Sequence, residues 1–289
     1  MKRSLSHLPD GKREELNRIR DVILEAQSGV EMIILFGSHA RGDWVYDRHF
    51  EGHVMHTYRS DYDVLVVTGE PTRNDVGIEQ RIEHALECHA PMQTGIGIIV
   101  HDIEYLNRRL GEGHYFFSDI KKEGVWLYNS KRFKLARRRE LDTQERRKIA
   151  KEHYDVWYPS AQAFFKGFRF YCREKEYKIA AFELHQATER AWKAALLVYC
   201  GYAPRTHDIR VFERRVCAYE TEFLKIFDHA DPESERKFTL LKKAYKDARY
   251  DPEYTITRDE LKYLGERVKL LLELVESKCK NPRKIGKTG

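Results

Sequence analysis

The chain changes its hydrophobic period near its middle, and that switch confines it to a small α/β layer followed by a helical bundle. Its first half holds three short apolar runs, at 32–36, 64–67 and 96–100, the first stopped by Gly37 and the second by Thr68-Gly69. Apolar stretches this continuous suit strands whose sheet is covered, because half-exposed strands alternate. Residues 14–26 set Leu16, Ile19, Ile23 and Leu24 on one helical stripe, and 74–88 also reads as helix. The second half holds no convincing strand. Residues 145–171, with a bend expected near Pro159, then 179–200, 233–249 and 258–277 read as long helices. The last places Leu261, Leu264, Val268, Leu271 and Val275 at three- and four-residue spacing, and Gly201 is a natural stop for the second. Joined by short turns, four such helices form an antiparallel bundle. The expected class is therefore α+β, a small mixed-sheet domain over 1–130 and an all-α bundle over 131–289. A basic run at 131–139 marks the boundary.

A chain of 289 residues exceeds what one core usually organises, which agrees with two domains. Hydrophobic residues at 42% exclude a wholly disordered chain. No stretch approaches a membrane span, and the first residues lack the apolar run of a signal peptide, so a cytoplasmic protein without a membrane partner is expected. Cysteines 88, 172, 200, 217 and 279 stand singly, a pattern that argues against a disulfide framework or a structural zinc site. The net charge of +6 is mild, but 131–139 carries six basic residues in nine and 278–289 five without a carboxylate. Both stretches suit polyanions; the plainer reading is a solvated face and a frayed tail.

The chemistry concentrates in Gly37-Ser38-His39-Ala40-Arg41-Gly42-Asp43 and in Ser60-Asp61-Tyr62-Asp63. A strand that ends in Gly-Ser and turns into a helix leaves backbone N–H groups for phosphate oxygens, with Ser38 and Arg41 as further donors. Asp61 and Asp63, two apart at a strand start, project from one face. Paired carboxylates repel unless a cation lies between them, and oxygen-only ligation favours Mg²⁺ (or Mn²⁺) completed by substrate phosphates. Singly, Ser38 reads as a turn residue and each Asp as a strand-end cap. Together they suit nucleotidyl transfer.

These residues resemble the signature of the DNA polymerase beta-like nucleotidyltransferase superfamily in its minimal form, over about residues 20–105. The resemblance implies that Gly37 and Ser38 contact nucleotide and that Asp61 and Asp63 ligate metal. Two features depart from it. Ser38 and Asp61 are separated by 22 residues, and the extra segment 45–58 contains His49, His53 and His56. Their spacing would present one helical face to a metal, but Gly52 breaks that helix and a solvated loop is expected. The family's third carboxylate belongs on the next strand, where this chain has Gly95 and Gly97, with only His101 and Asp102 at the strand's end. The general base is thus unassigned.

Phe182-Glu183-Leu184-His185-Gln186-Ala187, Glu189-Arg190-Ala191 and the Pro204–208 turn (Pro-Arg-Thr-His-Asp) resemble HEPN domains over about 145–280. Residues 114–128 resemble the connector of such fusions and are expected to place aromatic side chains between domains. Many HEPN domains cleave RNA with an Arg, four to six residues, then His. Here Arg249 is followed by Tyr250-Asp251-Pro252-Glu253-Tyr254 without a histidine, and Arg205-Thr206-His207 is too closely spaced. RNA cleavage is not expected. Arg249 reads either as a phosphate contact or as a charge at a helix C-terminus, and His185 as a core or interface histidine.

The resulting expectation is a Mg²⁺-dependent enzyme moving a nucleotide from a nucleoside triphosphate, ATP favoured, to an acceptor hydroxyl. Acceptors compatible with it are a small molecule, an RNA end or a protein tyrosine, with Tyr250 and Tyr254 the candidates beside Arg249. The bundle would bind acceptor or pair two copies into a dimer. The rival expectation is a regulatory module that binds nucleotide without transferring it.

Overall fold

The computed structural model describes the chain except residues 2–3, 45, 52–53, 72–73, 90–93 and 283–289, and for 46–51 and 54–59 it describes backbone only. It divides into two compact units, one formed by Met1–Glu51 with Met55–Leu141, the other chiefly by residues from 142 onward.

In the first unit the elements run α1 (Asp10–Ala26), β1 (Val30–Phe36), α2 (Gly37–Arg41), β2 (Tyr46–Glu51), β3 (Val54–Arg59), β4 (Tyr62–Thr68), α3 (Asp75–His89), β5 (Ile96–Asp102), α4 (Ile103–Gly111), α5 (Tyr115–Glu123) and β6 (Val125–Asn129). The main sheet has the order β5-β4-β1-β6. β1 is antiparallel to β4 and β6, while β4 and β5 are parallel, so the sheet is mixed. Ile33, Leu35, Val64, Val66, Ile98 and Val100 share a core with Leu16, Ile19 and Ile23 of α1 and Ile78, Ile82 and Leu86 of α3. The alternate residues Met32, Ile34, Leu65, Val67 and Ile99 are equally buried, on the face where α4 and α5 supply Leu106, Leu110, Phe116, Phe117 and Ile120. Cover on both faces explains why these strands are apolar throughout. Glu79 of α3 accepts the backbone N–H of Val100 at 2.9 Å, satisfying one donor of the edge strand β5.

Two expectations change here. Residues 114–128 contribute to the first unit's own architecture rather than forming a connector: α5 buries Tyr115, Phe116 and Phe117, and β6 joins β1. The short apolar segment of β6 lacks the length that marked the other strands, so it was hidden among aromatics. The segment read as a solvated loop is a β2–β3 hairpin. His49 and His56 therefore sit on strands and not on a helical face, their side chains and all of His53 lying outside the described residues.

The division between units falls at 141/142, beyond the expected 130/131. The basic run is tied to α4 and α5: Asn107 brackets it through Lys134 O (3.2 Å) and Ala136 N (2.6 Å), and Arg139 N donates to Leu110 O at 3.0 Å.

The second unit is helical: α6 (Thr143–Arg173), α7 (Tyr177–Cys200), α8 (Ile209–Cys217), a 3-10 turn (Thr221–Lys225), α9 (Pro232–Lys243), α10 (Asp247–Tyr250) and α11 (Arg258–Cys279). Capping boxes start α6 at Asp142/Glu145 and α11 at Thr257/Glu260, and Gly201 ends α7 in the left-handed region at φ 70°. α6 continues through Pro159. α7 is the central helix, buried along most of its length, with Leu184, Ala187, Ala191, Trp192, Ala195 and Val198 in the core and His185, Gln186, Thr188 and Glu189 buried as well. A Cβ on Gly265 of α11 would lie 2.7 Å from the Phe168 ring of α6, so glycine is what lets those two helices approach. The connection from α7 to α9 is not a short turn. α8 fills it, started by Asp208 and burying Ile209, Phe212, Val216 and Cys217. The helix expected over 233–249 is interrupted after Lys243 and resumes as the short α10.

Candidate active site

The first candidate site is built where β1 gives way to α2. Gly37 opens α2 with φ 74°, a conformation that side chains rarely tolerate. A Cβ there would lie 2.3 Å from Asp63 Oδ2, so the missing side chain is what admits the carboxylate against the turn. Phe36 and Asp63 are register partners across β1 and β4. Asp61 meets a second glycine: a Cβ on Gly95 would lie 2.2 Å from Asp61 Oδ1. The two acids flank Tyr62, whose side chain is buried in the α1/α3 core and donates to Glu15 Oε2 at 2.7 Å. Strand alternation thus puts Asp61 and Asp63 on the opposite, α4/α5 face. Both are half-buried, as a ligand-facing carboxylate requires.

A histidine inside the glycine-serine motif holds this corner together. His39 is fully buried on α2, and its Nδ1 lies 3.0 Å from the Asp61 carbonyl. Lys12 Nζ, which can only donate, sits 3.1 Å from Nε2. The ring proton is therefore on Nδ1 and donates to Asp61 O. The ring stacks on Trp44 at 5.7 Å and tilts on Tyr62 at 4.5 Å. His39 thus pins the backbone of the first aspartate to the glycine turn. Its position two residues past Gly37, flanked by an otherwise small-residue turn, was the available signal.

Arg41 sits between two carboxylates, Asp43 Oδ2 at 3.1 Å and Glu123 Oε2 at 3.6 Å. Ser38 is half-buried on α2. The parallel register sets Asp63 beside Gly97, and Tyr62 N donates to Gly95 O, so β5 offers the pair glycines and no acid. Asp102 lies at the other end of β5, capping α4 by accepting from Tyr105 N at 2.7 Å, and buried His101 lies 3.4 Å from Asp75. Neither belongs to this corner. Among the described residues no group of three or more His, Cys, Asp or Glu is placed to hold a metal. Two hard oxygen donors beside a glycine cradle fit Mg²⁺ that takes its remaining ligands from phosphates.

In the second unit, Arg249 is exposed at the end of α10. Its Nε donates to Tyr245 O at 2.7 Å, and its guanidinium lies over the rings of Tyr245 (4.5 Å), Phe182 (4.9 Å) and Tyr250 (4.9 Å). His207 stacks on the same Tyr245 ring at 3.9 Å and directs Nδ1 to buried Glu189 at 3.0 Å. The fold thereby brings a histidine to the same ring that Arg249 covers, which chain spacing alone could not reveal. His185 is fully buried, donates from Nε2 to His207 O at 3.1 Å, and has its pKa pushed down to about 4 by burial. Tyr254 is 5% exposed, its hydroxyl donates to Leu240 O at 3.0 Å, and burial raises its pKa. Tyr250, at 71% exposure, is the accessible tyrosine of the two.

The helical unit matches the HEPN domain family over residues 154–278. No curated protein matches the chain. Solved structures similar to it include an archaeal HEPN homologue (20% identity, covering 44% of this chain and 98% of its own, TM-score 0.32). Others are a nucleotidyltransferase-like protein from Exiguobacterium sibiricum 255-15 (13%, 92% and 76%, TM-score 0.30) and a spectinomycin adenyltransferase from Enterococcus faecialis (11%, 89% and 99%, TM-score 0.33). At such TM-scores these likenesses carry no weight by themselves; the domain match does, and the second unit of this chain carries a HEPN domain.

Proposed function

We propose that the first unit is a nucleotidyltransferase that moves a nucleoside monophosphate from a triphosphate, ATP favoured, to an acceptor hydroxyl. The observation that carries the reading is the fit of the Asp63 carboxylate into the space that Gly37 leaves open, with Asp61 held alongside against Gly95. Asp61 and Asp63 are the residues that would hold Mg²⁺ (or Mn²⁺), which when bound neutralises and aligns phosphate oxygens. Backbone N–H groups at Gly37-Ser38 and the Ser38 hydroxyl receive the triphosphate. Arg41 adds charge once phosphate competes with Asp43 and Glu123. The acceptor oxygen forms a bond to the α-phosphorus, the bond to pyrophosphate breaks, and the hydroxyl proton passes to a base that these residues do not name.

The HEPN domain then binds acceptor or pairs with a second copy. Tyr250 is preferred over Tyr254 as a tyrosine acceptor because a buried, hydrogen-bonded hydroxyl cannot reach a nucleotide. A second reading, nucleotide binding without transfer, draws support from Gly95 and Gly97 facing the aspartates where an acid would serve catalysis. Incubation with each labelled nucleoside triphosphate, Mg²⁺ and pooled acceptors separates the two. Incorporation lost in Asp63→Asn supports transfer; nucleotide binding without pyrophosphate release supports the module. RNA cleavage would have to survive EDTA and vanish in Arg249→Ala and His207→Ala.

A further inference from the structure

The basic run forms one wall of an open cavity of about 680 Å³, lined by Lys121, Lys122, Arg137, Arg138, Arg139 and Glu140 together with Met1. The corner around Gly37, Asp61 and Asp63 contributes none of these residues. Five cations thus surround one space, and the single carboxylate among them, Glu140, is 2.5 Å from Arg138. Charges so arranged repel one another, and the Lys121 ammonium is held below its ordinary pKa by burial and by Arg138. An anion placed among them would remove that cost.

The backbone here is fixed while several of its cations stay exposed, Arg132 among them with an ion pair to Glu31 at 3.0 Å. Lys121 Nζ donates to Ala136 O at 2.6 Å and to Leu135 O at 3.4 Å, and the Asn107 and Leu110 contacts hold residues 134, 136 and 139. Lys131, Arg132, Lys134, Arg137 and Arg139 are exposed along this segment. Nine residues reach at most about 30 Å, longer than a single nucleotide requires. Guanidinium groups pair bidentately with phosphate and carboxylate alike, but they also stack on bases, which favours nucleic acid over an acidic peptide.

We propose that residues 121–139 form a binding track for the phosphate backbone of single-stranded RNA, centred on the cavity between α5 and the basic segment. The track stands whether or not the Asp61–Asp63 site transfers nucleotide. Its test is fluorescence anisotropy of a labelled 20-nucleotide oligouridine with the full chain between 50 and 200 mM KCl, about the range over which phosphate contacts change affinity most visibly. Lys122→Ala/Arg137→Ala/Arg139→Ala should weaken binding at least tenfold and flatten the slope of log affinity against log salt by about 2, roughly 0.7 per lost contact. Lys166→Ala/Arg169→Ala/Arg173→Ala, three exposed cations on α6, should change affinity less than twofold. Equal loss in both triple variants would mean a non-local charge effect and overturn the track. So would displacement of the RNA by ATP at matched phosphate or by polyglutamate at matched charge. Ultraviolet crosslinking of the unaltered protein to the same RNA keeps the test independent of variant folding. Adducts should fall within 121–140, and adducts confined elsewhere sink the proposal.

Discussion

The corner at Gly37 and the cluster around Tyr245 both gather polar side chains, yet they treat them oppositely. In the first unit, Asp61 and Asp63 lean into spaces that two glycines leave open, and the supporting His39 binds the Asp61 backbone carbonyl and Lys12. In the HEPN domain, His185, Glu189 and the Tyr254 hydroxyl are buried against partners of their own. Arg249, Tyr250 and His207 are the exposed members of that cluster, with Phe182 and Tyr245 half-buried. A site leaves room for a ligand beside its half-buried charged groups; a structural cluster fills that room with its own side chains.

The hardest test of that contrast is Asp63→Asn. Removal of one of two carboxylates should lower pyrophosphate release at least a hundredfold while melting temperature stays within a few degrees, and retained activity would break the comparison. In the HEPN domain the largest effect should come from protons. His185 has a folded pKa of about 4 against an ordinary 6.5, so the unfolded chain binds more protons between those values. Its contribution is full above pH 6.5 and falls as pH drops toward 4, by about 3 kcal/mol in all. Acid melts should show that slope, and His185→Gln should flatten it. His229 works in the other direction. Burial opposes its charge, but Glu213 at 2.9 Å and Glu235 at 2.7 Å prevail and raise its pKa, so its contribution is lost as pH rises past that value.

Gly37→Ala should cost about 1–2 kcal/mol, since the left-handed backbone penalises a side chain, and should abolish Mg²⁺-dependent ATP binding by displacing Asp63. Gly95→Ala crowds Asp61 without a positive φ, so calorimetry should show weakened ATP binding with a smaller change in stability. Smallest of all, Tyr254→Phe should cost about 1 kcal/mol through its lost bond to Leu240 O and leave nucleotide transfer untouched. Loss of transfer in Tyr254→Phe would instead make that hydroxyl part of the chemistry.

Most of the architecture was legible where periodicity was long. β1, β4, β5, α1, α3 and the four principal helices follow apolar runs or stripes that few other folds accommodate. The remaining elements carry short or mixed signals. β6 is five residues with one fully buried position, and α8 lies between turn residues. The β2–β3 segment mixes polar and apolar residues without a continuous apolar run. None of the described helices is long and apolar enough to cross a membrane.

By itself the sequence determined the two kinds of layer and the glycine turn, because hydrophobic period and backbone freedom are local properties. It also carried the aspartate pair, whose two-residue spacing fixes a shared face. Tertiary structure decided what lies beside them. That Gly95 and Gly97 face the aspartates depends on parallel register between β4 and β5, and that His39 anchors Asp61 depends on α2 folding back over a strand begun 21 residues later in the chain, at Tyr62. His207 and Arg249 on one Tyr245 ring, and the basic run along α4 and α5, arise the same way. Contacts between segments distant in sequence are set by packing and register, and local pattern does not encode them.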